Sequence, residues 1–338
     1  MNAPVAELLP VLLALTLGFT VVMYVVLDGF DLGIGMLFPF YRDEADRDLV
    51  MNSVAPFWDG NETWLVLGGV TLWAAFPKAF GIILPALYVP VIVLLLALIF
   101  RGVAFEFRWV AKPRHRKWDI AFAAGSTLAA FAQGLVLGGI LEEIPVRDGQ
   151  FAGTPAWWLS PFSVMCGLAL VAGYALLGAT WLLVKTSGPV EQRARKLATP
   201  LLIALLAFIA IVSIWTPLQF PRIAQRWFGF PNTLLLAPIP VVTLIFAWLC
   251  WWGIRRGNVL LPFASAVIIF LMAFLGLVVS NVPYLVPPTV TVWQAASHPT
   301  SQIFYLVGAA ILIPMIIGYT AVVFFLFRGK LEPGQGYH

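Results

Sequence analysis

The sequence has few charged residues, few histidines and few cysteines for a chain of 338 residues. Charged side chains make up 11% of the residues, whereas hydrophobic side chains make up 61%, and the mean hydropathy is +0.93. These values exclude an ordinary soluble globular domain, in which about a quarter of the residues are charged. The chain is therefore predicted to be a multi-pass integral membrane protein.

The cysteines and histidines exclude two further classes of protein. Cys166 and Cys250 fall in apolar segments, so no disulfide framework is expected and both are interpreted as small hydrophobes. His115, His298 and His338 lie outside those segments, and no residue spacing is typical of a metal site. Because no span offers an imidazole that could ligate haem, the chain is predicted to bind neither a metal nor haem directly.

Nine apolar segments approach the ~20 residues that a membrane-spanning helix needs. They are predicted at 8–36, 55–76, 79–101, 118–141, 160–184, 198–216, 234–254, 260–281 and 303–327. The predicted fold is all-α, with two four-helix bundles and one peripheral helix. Its parts are 1–141 (first bundle), 142–159 (outer connection), 160–281 (second bundle) and 282–338 (outer loop, ninth helix and tail). Two Gly-x-x-x-Gly motifs, at 29–33 and 134–138, predict close helix packing.

Basic residues are divided unevenly between the two sets of connections. Only four of the 20 lysines and arginines fall on one side, namely Lys78, Arg147, Arg222 and Arg226. Since cytoplasmic loops carry the excess of basic residues, the N-terminus is predicted outside and the C-terminus in the cytoplasm. The formal net charge of +4 then follows from topology, and no nucleic-acid partner is predicted.

Two acidic motifs interrupt the apolar pattern, LDGFDLG at 27–33 and FWDGNETW at 57–64. Their acids are Asp28, Asp31, Asp59 and Glu62. Within each motif the two acids are three residues apart, so they share one face of a helix. An aspartate at the centre of a membrane helix costs about 2.5–3.5 kcal/mol, and such acids are usually paired, solvated or functional.

The predicted topology brings three more charges, Arg101, Glu106 and Arg108, to the same cytoplasmic third of the membrane. Two interpretations of this charged seam stand side by side. The arginines can pair with some of the acids in fixed structural bridges. However, five acids cannot pair one to one with two arginines, so a surplus acid in a partly desolvated seam can serve as a proton relay.

These motifs, together with AAFP at 74–77 and RGVAFEFR at 101–108, resemble the signatures of subunit II of the cytochrome bd-type quinol oxidases, whose cyanide-insensitive branch is similarly short. The specific resemblance lies within residues 24–109. It implies a multi-pass protein of the bacterial cytoplasmic membrane that pairs with a haem-bearing subunit I. That partner would hold two b-type haems and either haem d or a third b-type haem, and the complex would use quinol and O₂.

The resemblance also implies roles for individual residues. Asp59 matches the aspartate that is proposed to admit cytoplasmic protons toward the haems. The supporting positions of the charged seam are Glu62, Asp28, Asp31, Arg101 and Glu106. Some relatives also carry a small single-helix accessory subunit or a structural quinone, but nothing in this sequence marks a quinone site.

Two other functions compete with this interpretation. A proton-coupled transporter also uses intramembrane carboxylates, but it would need polar substrate-binding residues near the midplane of both halves. No charged residue occurs from 257 to 327, which argues against a transporter. A pure assembly scaffold, in which the acids are only structural, differs from a proton relay in the expected effect of substituting Asp59.

Overall fold

The computed structural model describes residues 3–111 and 115–331, with side chains from residue 7 onward. The helices are α1 (Ala3–Leu37), α2 (Glu44–Asn52), α3 (Trp58–Ala75), α4 (Pro77–Val110), α5 (Arg116–Leu141), α6 (Pro161–Lys185), α7 (Gly188–Gln219), α8 (Pro221–Phe228), α9 (Asn232–Leu236), α10 (Pro238–Arg256), α11 (Leu260–Asn281), α12 (Val292–Ala295) and α13 (Pro299–Leu326). A 3₁₀ turn, Phe38–Phe40, follows α1. The strands are β1 (Val146–Arg147), β2 (Gln150–Phe151), β3 (Tyr284–Val286) and β4 (Val290–Thr291), which form two antiparallel hairpins.

Within the described ranges, eight helical segments are long and apolar enough to cross a membrane. They correspond to α1, α4, α5, α6, α7, α10, α11 and α13. The predicted span at 55–76 corresponds to α3, which is not among these eight segments. It has 18 residues, and Asp59 and Glu62 lie in its first two turns. The predicted all-α membrane architecture is confirmed, whereas nine spans and their division into two bundles stay predictions.

Successive long helices run in opposite directions, so the molecule has two ends. At the motif end α1 finishes and α3 begins, and Leu331 N donates a hydrogen bond to Lys185 O at 2.8 Å. At the hairpin end Ser297 N donates to Ala75 O at 2.8 Å. Residues of both hairpins and buried Phe76 belong to one apolar cluster at this second end. The side of the membrane that each end occupies stays a prediction.

Helix α6 joins the two halves of the chain, because it packs against α1, α5, α7 and α11. Glycines on α1 and α5 permit this close approach. A Cβ atom on Gly33 would lie 1.9 Å from Tyr174 O, and one on Gly134 would lie 2.4 Å from Gly167 Cα. Larger residues cannot fit there without moving the backbone, so the close packing predicted from both small-residue motifs is confirmed.

An aromatic cluster holds four helices together at the motif end. The Phe30 ring of α1 stacks on Trp181 of α6 with a centroid distance of 4.4 Å. Phe57, directly before α3, lies 4.4 Å from Phe324 of α13. These contacts fix the end of α1 beside the start of α3, which is where the two acidic motifs are found.

Candidate functional site

Arg101 of α4 lies at the centre of the two acidic motifs. Its side chain is fully buried, with Nη1 donating to Asp28 Oδ1 at 2.6 Å and Nη2 donating to Glu62 Oε1 at 2.5 Å. The Trp58 ring covers the guanidinium, 5.6 Å from Arg101 Cζ, and stacks on Phe105 with a centroid distance of 4.9 Å. One guanidinium therefore ties α4 to both α1 and α3.

Asp31 lies one turn after Asp28 and is 1% exposed. Asn61 Nδ2 donates to Asp31 Oδ2 at 2.7 Å. Among the described residues, no lysine or arginine forms a salt bridge with Asp31, because the single guanidinium of Arg101 is already shared by two other carboxylates. Three carboxylates thus surround one guanidinium. If all three were ionised, the site would carry net negative charge.

A chain of polar groups extends this site toward α5 and α6. The Tyr24 hydroxyl adjoins Asp28 and accepts a hydrogen bond from Gln133 Nε2 at 2.5 Å. Tyr174 OH donates to Gln133 Oε1 at 2.7 Å. Sequence reasoning missed these three residues, although Tyr24 is four residues before Asp28 and so lies on the same helical face. Asp28 Oδ2 and Asp31 Oδ1 are buried with no hydrogen-bond donor among the described residues.

The acids of the site form a series from the surface to the interior. Asp59 is exposed in the first turn of α3, on the surface of this chain. Glu62, three residues further along, has a side chain that is 25% exposed, whereas the Asp28 side chain is 1% exposed. Glu62 is thus the carboxylate through which the exposed and the buried parts of the site meet.

Two predicted members of the charged seam do not join this site. Glu106 is exposed on α4. Arg108 is buried in a separate cluster, where Nη1 donates to Asp48 Oδ1 at 2.5 Å and Nε donates to Asp119 Oδ1 at 2.7 Å. Arg101, Glu106 and Arg108 all lie toward the same end of α4, but Arg108 and Glu106 are not part of one site with the other charges. Arg101 and Arg108 are seven residues apart and so share one face of α4, whereas Glu106 is five residues from Arg101 and lies on nearly the opposite face. Glu106 therefore points away from both arginines.

The Arg108 cluster is separated from the Arg101 site by apolar rings. Phe105 meets Phe122 at a centroid distance of 5.0 Å, and Phe122 meets Phe38 at 5.2 Å, both edge to face. Arg108 Cζ lies 5.4 Å from the Phe38 ring centroid. No continuous hydrogen-bonded path between the two clusters is found among the described residues, so they are distinct units.

The family of the chain follows from a comparison with known proteins. A model described as cytochrome bd terminal oxidase subunit II matches residues 9–327. The chain belongs to this family. Subunit II of a terminal oxidase accounts for the apolar architecture, and the acidic motifs lie well inside the matched range.

Individual relatives agree with this assignment. The cytochrome bd-I ubiquinol oxidase subunit 2 of Escherichia coli (strain K12) is 27% identical over 354 residues, covering 94% of this chain and 93% of that protein. The cytochrome bd ubiquinol oxidase subunit 2 of Bacillus subtilis (strain 168) is 29% identical over 317 residues, covering 90% and 92%. The solved bd oxidase of Geobacillus thermodenitrificans contains a chain with the same fold, with a TM-score of 0.80, 17% identity and coverage of 94% and 98%.

Among the described residues, neither histidine lies inside a span, where a haem would need an axial ligand. His115 Nε2 lies 3.8 Å from Glu44 and 3.9 Å from Asp119 at the start of α5, outside the span interior. His298 Nδ1 caps α13 by accepting from Thr300 N at 3.4 Å, and His338 lies outside the described residues. No group of three or more histidine, cysteine or acidic side chains in the described part of the chain could hold a metal ion.

Proposed function

We propose that this chain is the non-haem subunit of a quinol-oxidising terminal oxidase, where it stabilises a haem-bearing subunit I and supplies cytoplasmic protons. Two quinols release four electrons to O₂, and four protons taken from the cytoplasm complete two molecules of water. The haems, two of b type with haem d or a third b-type haem, would belong to the partner. The names of the Escherichia coli and Bacillus subtilis relatives support the same reaction class.

The observation that carries the proton-uptake role is the graded exposure of the acids. Asp59 is open to the surface, Glu62 is half-buried, and Asp28 and Asp31 are buried. A carboxylate at the surface can exchange protons with water, whereas a buried carboxylate without its own counter-ion favours the protonated form. A proton that binds at Asp59 therefore has successive carboxylates to move to.

Arg101 limits how much negative charge the site can hold. Its guanidinium makes direct bonds to Asp28 and Glu62, but it makes none to Asp31. When another proton enters through Glu62, the balance of charge around Arg101 changes, and a proton can leave the buried group. The site can thus store and pass on protons through its own side chains.

A structural scaffold is the second candidate, and one observation favours it. The Arg101 bridges are short and buried, so they hold α1, α3 and α4 together whether or not protons pass. Asp59 separates the two candidates because it forms no salt bridge with any described residue and lies at the surface. Replacing Asp59 should therefore leave the salt bridges of Arg101 intact.

The test is Asp59→Asn in the complete oxidase complex. The amide is isosteric with the carboxyl group, so assembly and haem content should stay near those of the parent. Quinol-dependent O₂ consumption should fall well below the parental rate, with proton uptake slowed more than electron entry. Glu106→Gln, which neutralises another exposed acid at the same end, is the matched control and should keep full turnover. Equal parental turnover in both variants would reject Asp59 as the proton entry.

The orientation needs its own test, because proton uptake requires the motif end to face the cytoplasm. Both native cysteines are buried, so single cysteines can be introduced without removing them. In intact cells, an impermeant thiol reagent should label Arg147→Cys and leave His115→Cys unlabelled. Labelling at position 115 alone would reverse the topology and exclude cytoplasmic uptake through this site.

A further inference from the structure

A second polar site lies at the motif end, in a groove between α7 and α10 that the proton site does not use. Its lining residues are Gln192, Arg195, Lys196, Thr199, Ile254 and Arg255. Lys196 and Arg255 are exposed on the two facing helices. The groove thus brings side chains from two separate spans together around a positively charged rim.

Arg195 forms the rigid part of the groove. Its Nη1 donates to Ile254 O at 3.0 Å, at the end of α10, and its Nη2 donates to Glu191 Oε1 at 2.7 Å. The other oxygen of Glu191 accepts from Lys330 Nζ at 2.7 Å. Glu191, which adjoins the groove through Arg195, is therefore paired on both oxygens. Lys196 and Arg255 are left without a salt bridge to any described acid, so the groove carries net positive charge.

The helix faces beside this rim are apolar and aromatic. Ile203, two turns along α7 from Lys196, is 62% exposed, and Trp248, two turns before Arg255 on α10, is 56% exposed. The Arg255 guanidinium lies over the Trp251 ring, 5.4 Å from its centroid. Tryptophan at a span end is typical of the membrane–water interface. The groove is therefore cationic where lipid headgroups lie and apolar where acyl chains lie.

We propose that this groove binds an anionic phospholipid, with the headgroup phosphate between Lys196 and Arg255 and the acyl chains along Ile203 and Trp248. Basic pockets between transmembrane helices are suited to acidic headgroups. A zwitterionic lipid would place its ammonium group against the same two cations, so the charge selects against it. The Thr199 hydroxyl and the Gln192 amide add hydrogen-bond donors that do not depend on charge.

The test compares lipid binding by the purified oxidase complex and by its Lys196→Gln/Arg255→Gln variant. Native mass spectrometry in detergent, titrated with dioleoyl phosphatidylglycerol, gives the dissociation constant. We expect at least a tenfold loss of affinity in the double variant. Arg256→Gln is the matched control, because Arg256 is also exposed and stacks on Trp252 but does not line the groove. The control should change affinity less than twofold.

Two further titrations identify what is bound. Dioleoyl phosphatidylcholine should bind the parent much more weakly than phosphatidylglycerol, and inorganic phosphate at millimolar concentration should not displace the lipid. Equal affinity of parent and double variant for phosphatidylglycerol would overturn the proposal, as would equal affinity of the parent for both lipids. Displacement of phosphatidylglycerol by inorganic phosphate would also overturn the proposal, and would show that the groove binds free anions. Unchanged thermal unfolding of the double variant establishes that the helices still pack.

Discussion

Two buried arginines on one face of α4 differ in how their charge is balanced. Arg101 and Arg108 are seven residues apart, both fully buried, and each bonds two carboxylates. In the Arg108 cluster Arg47 also bonds Asp119, at 3.1 Å, so the bridges between described residues join two arginines to two aspartates. At Arg101 a single guanidinium meets three carboxylates, the third being the buried Asp31.

The two clusters also differ in what they connect. The Arg108 cluster ties α2 and the start of α5 to α4, and aromatic rings cover its inner side. The Arg101 site opens through Glu62 toward the surface and continues inward through Tyr24 and Gln133. Carboxylates that are each paired with an arginine stay ionised at neutral pH, whereas a buried carboxylate in excess of the available positive charge favours binding a proton. We therefore infer that Arg108 is structural and that Arg101 serves both structure and proton transfer.

The largest expected effect comes from removing the shared guanidinium. Arg101→Gln leaves Asp28 and Glu62 without their counter-ion, and breaking a buried ion pair costs about 3–5 kcal/mol. The complex should therefore lose several degrees or more of thermal stability and assemble poorly, as thermal unfolding and membrane yield will show. Adding Asp28→Asn to the same chain should restore part of the loss. If the double variant recovers no thermal stability, Arg101 stabilises the complex through its packing and not through its ion pairs.

Asp119→Asn should destabilise the complex somewhat less, because Arg108 keeps its bond to Asp48. An unsatisfied buried donor costs about 1–3 kcal/mol, and a charged one somewhat more. The free energy of unfolding should fall by about this amount, while O₂ consumption per assembled complex should stay parental. Glu44→Gln, next to the same cluster but 55% exposed, is the control with a smaller expected effect. Lost turnover in a fully assembled Asp119→Asn complex would make this cluster a second proton route.

The sequence predicts some parts of this comparison well. Acids three residues apart in LDGFDLG had to share a helical face, and the structure places Asp28 and Asp31 together on α1. The apolar composition predicted the all-α membrane fold, and the small-residue motifs predicted the close packing of α6 on its neighbours. These features depend on helical periodicity and on composition, which are local properties of a sequence.

Other parts could not be predicted, because they depend on which helices become neighbours. Asp48 stands in a polar segment that is ordinarily solvated, and Asp119 is at the very start of the predicted span at 118–141; only the fold brings both to Arg108. Gln133 is a single amide in the apolar second half of α5, with nothing in its local sequence to link it to Tyr24. Glu106 was assigned to the charged seam by its position along α4 alone, whereas its direction around the helix axis excludes it.

The hydrogen bonds of Gln133 should contribute less than either arginine. Gln133→Met keeps a similar volume but removes the bonds to the hydroxyls of Tyr24 and Tyr174, at about 0.5–1.5 kcal/mol each. We expect thermal unfolding to shift by a few degrees, with a modest loss of turnover if Tyr24 helps to set the proton affinity of Asp28. Gln192→Met, at the exposed rim of the lipid groove, is the control and should leave stability unchanged. An unchanged complex after Gln133→Met would confine the functional part of the site to the charged residues.

The smallest expected change in stability, and the clearest test of the comparison, comes from Asp31→Asn. No salt bridge to a described residue is lost, and the new amide oxygen can still accept from Asn61 Nδ2. Removing one of three carboxylates around a single guanidinium also relieves like-charge repulsion, so the free energy of unfolding should change by less than about 1 kcal/mol in either direction. Turnover should nevertheless fall, because the buried group that can hold the extra proton is gone. The matched change in the balanced cluster, Asp48→Asn, should do the opposite by lowering stability and keeping turnover. If Asp31→Asn keeps parental turnover at every pH at which the complex is stable, the surplus of acid at Arg101 has no part in proton transfer, and both arginine clusters are structural.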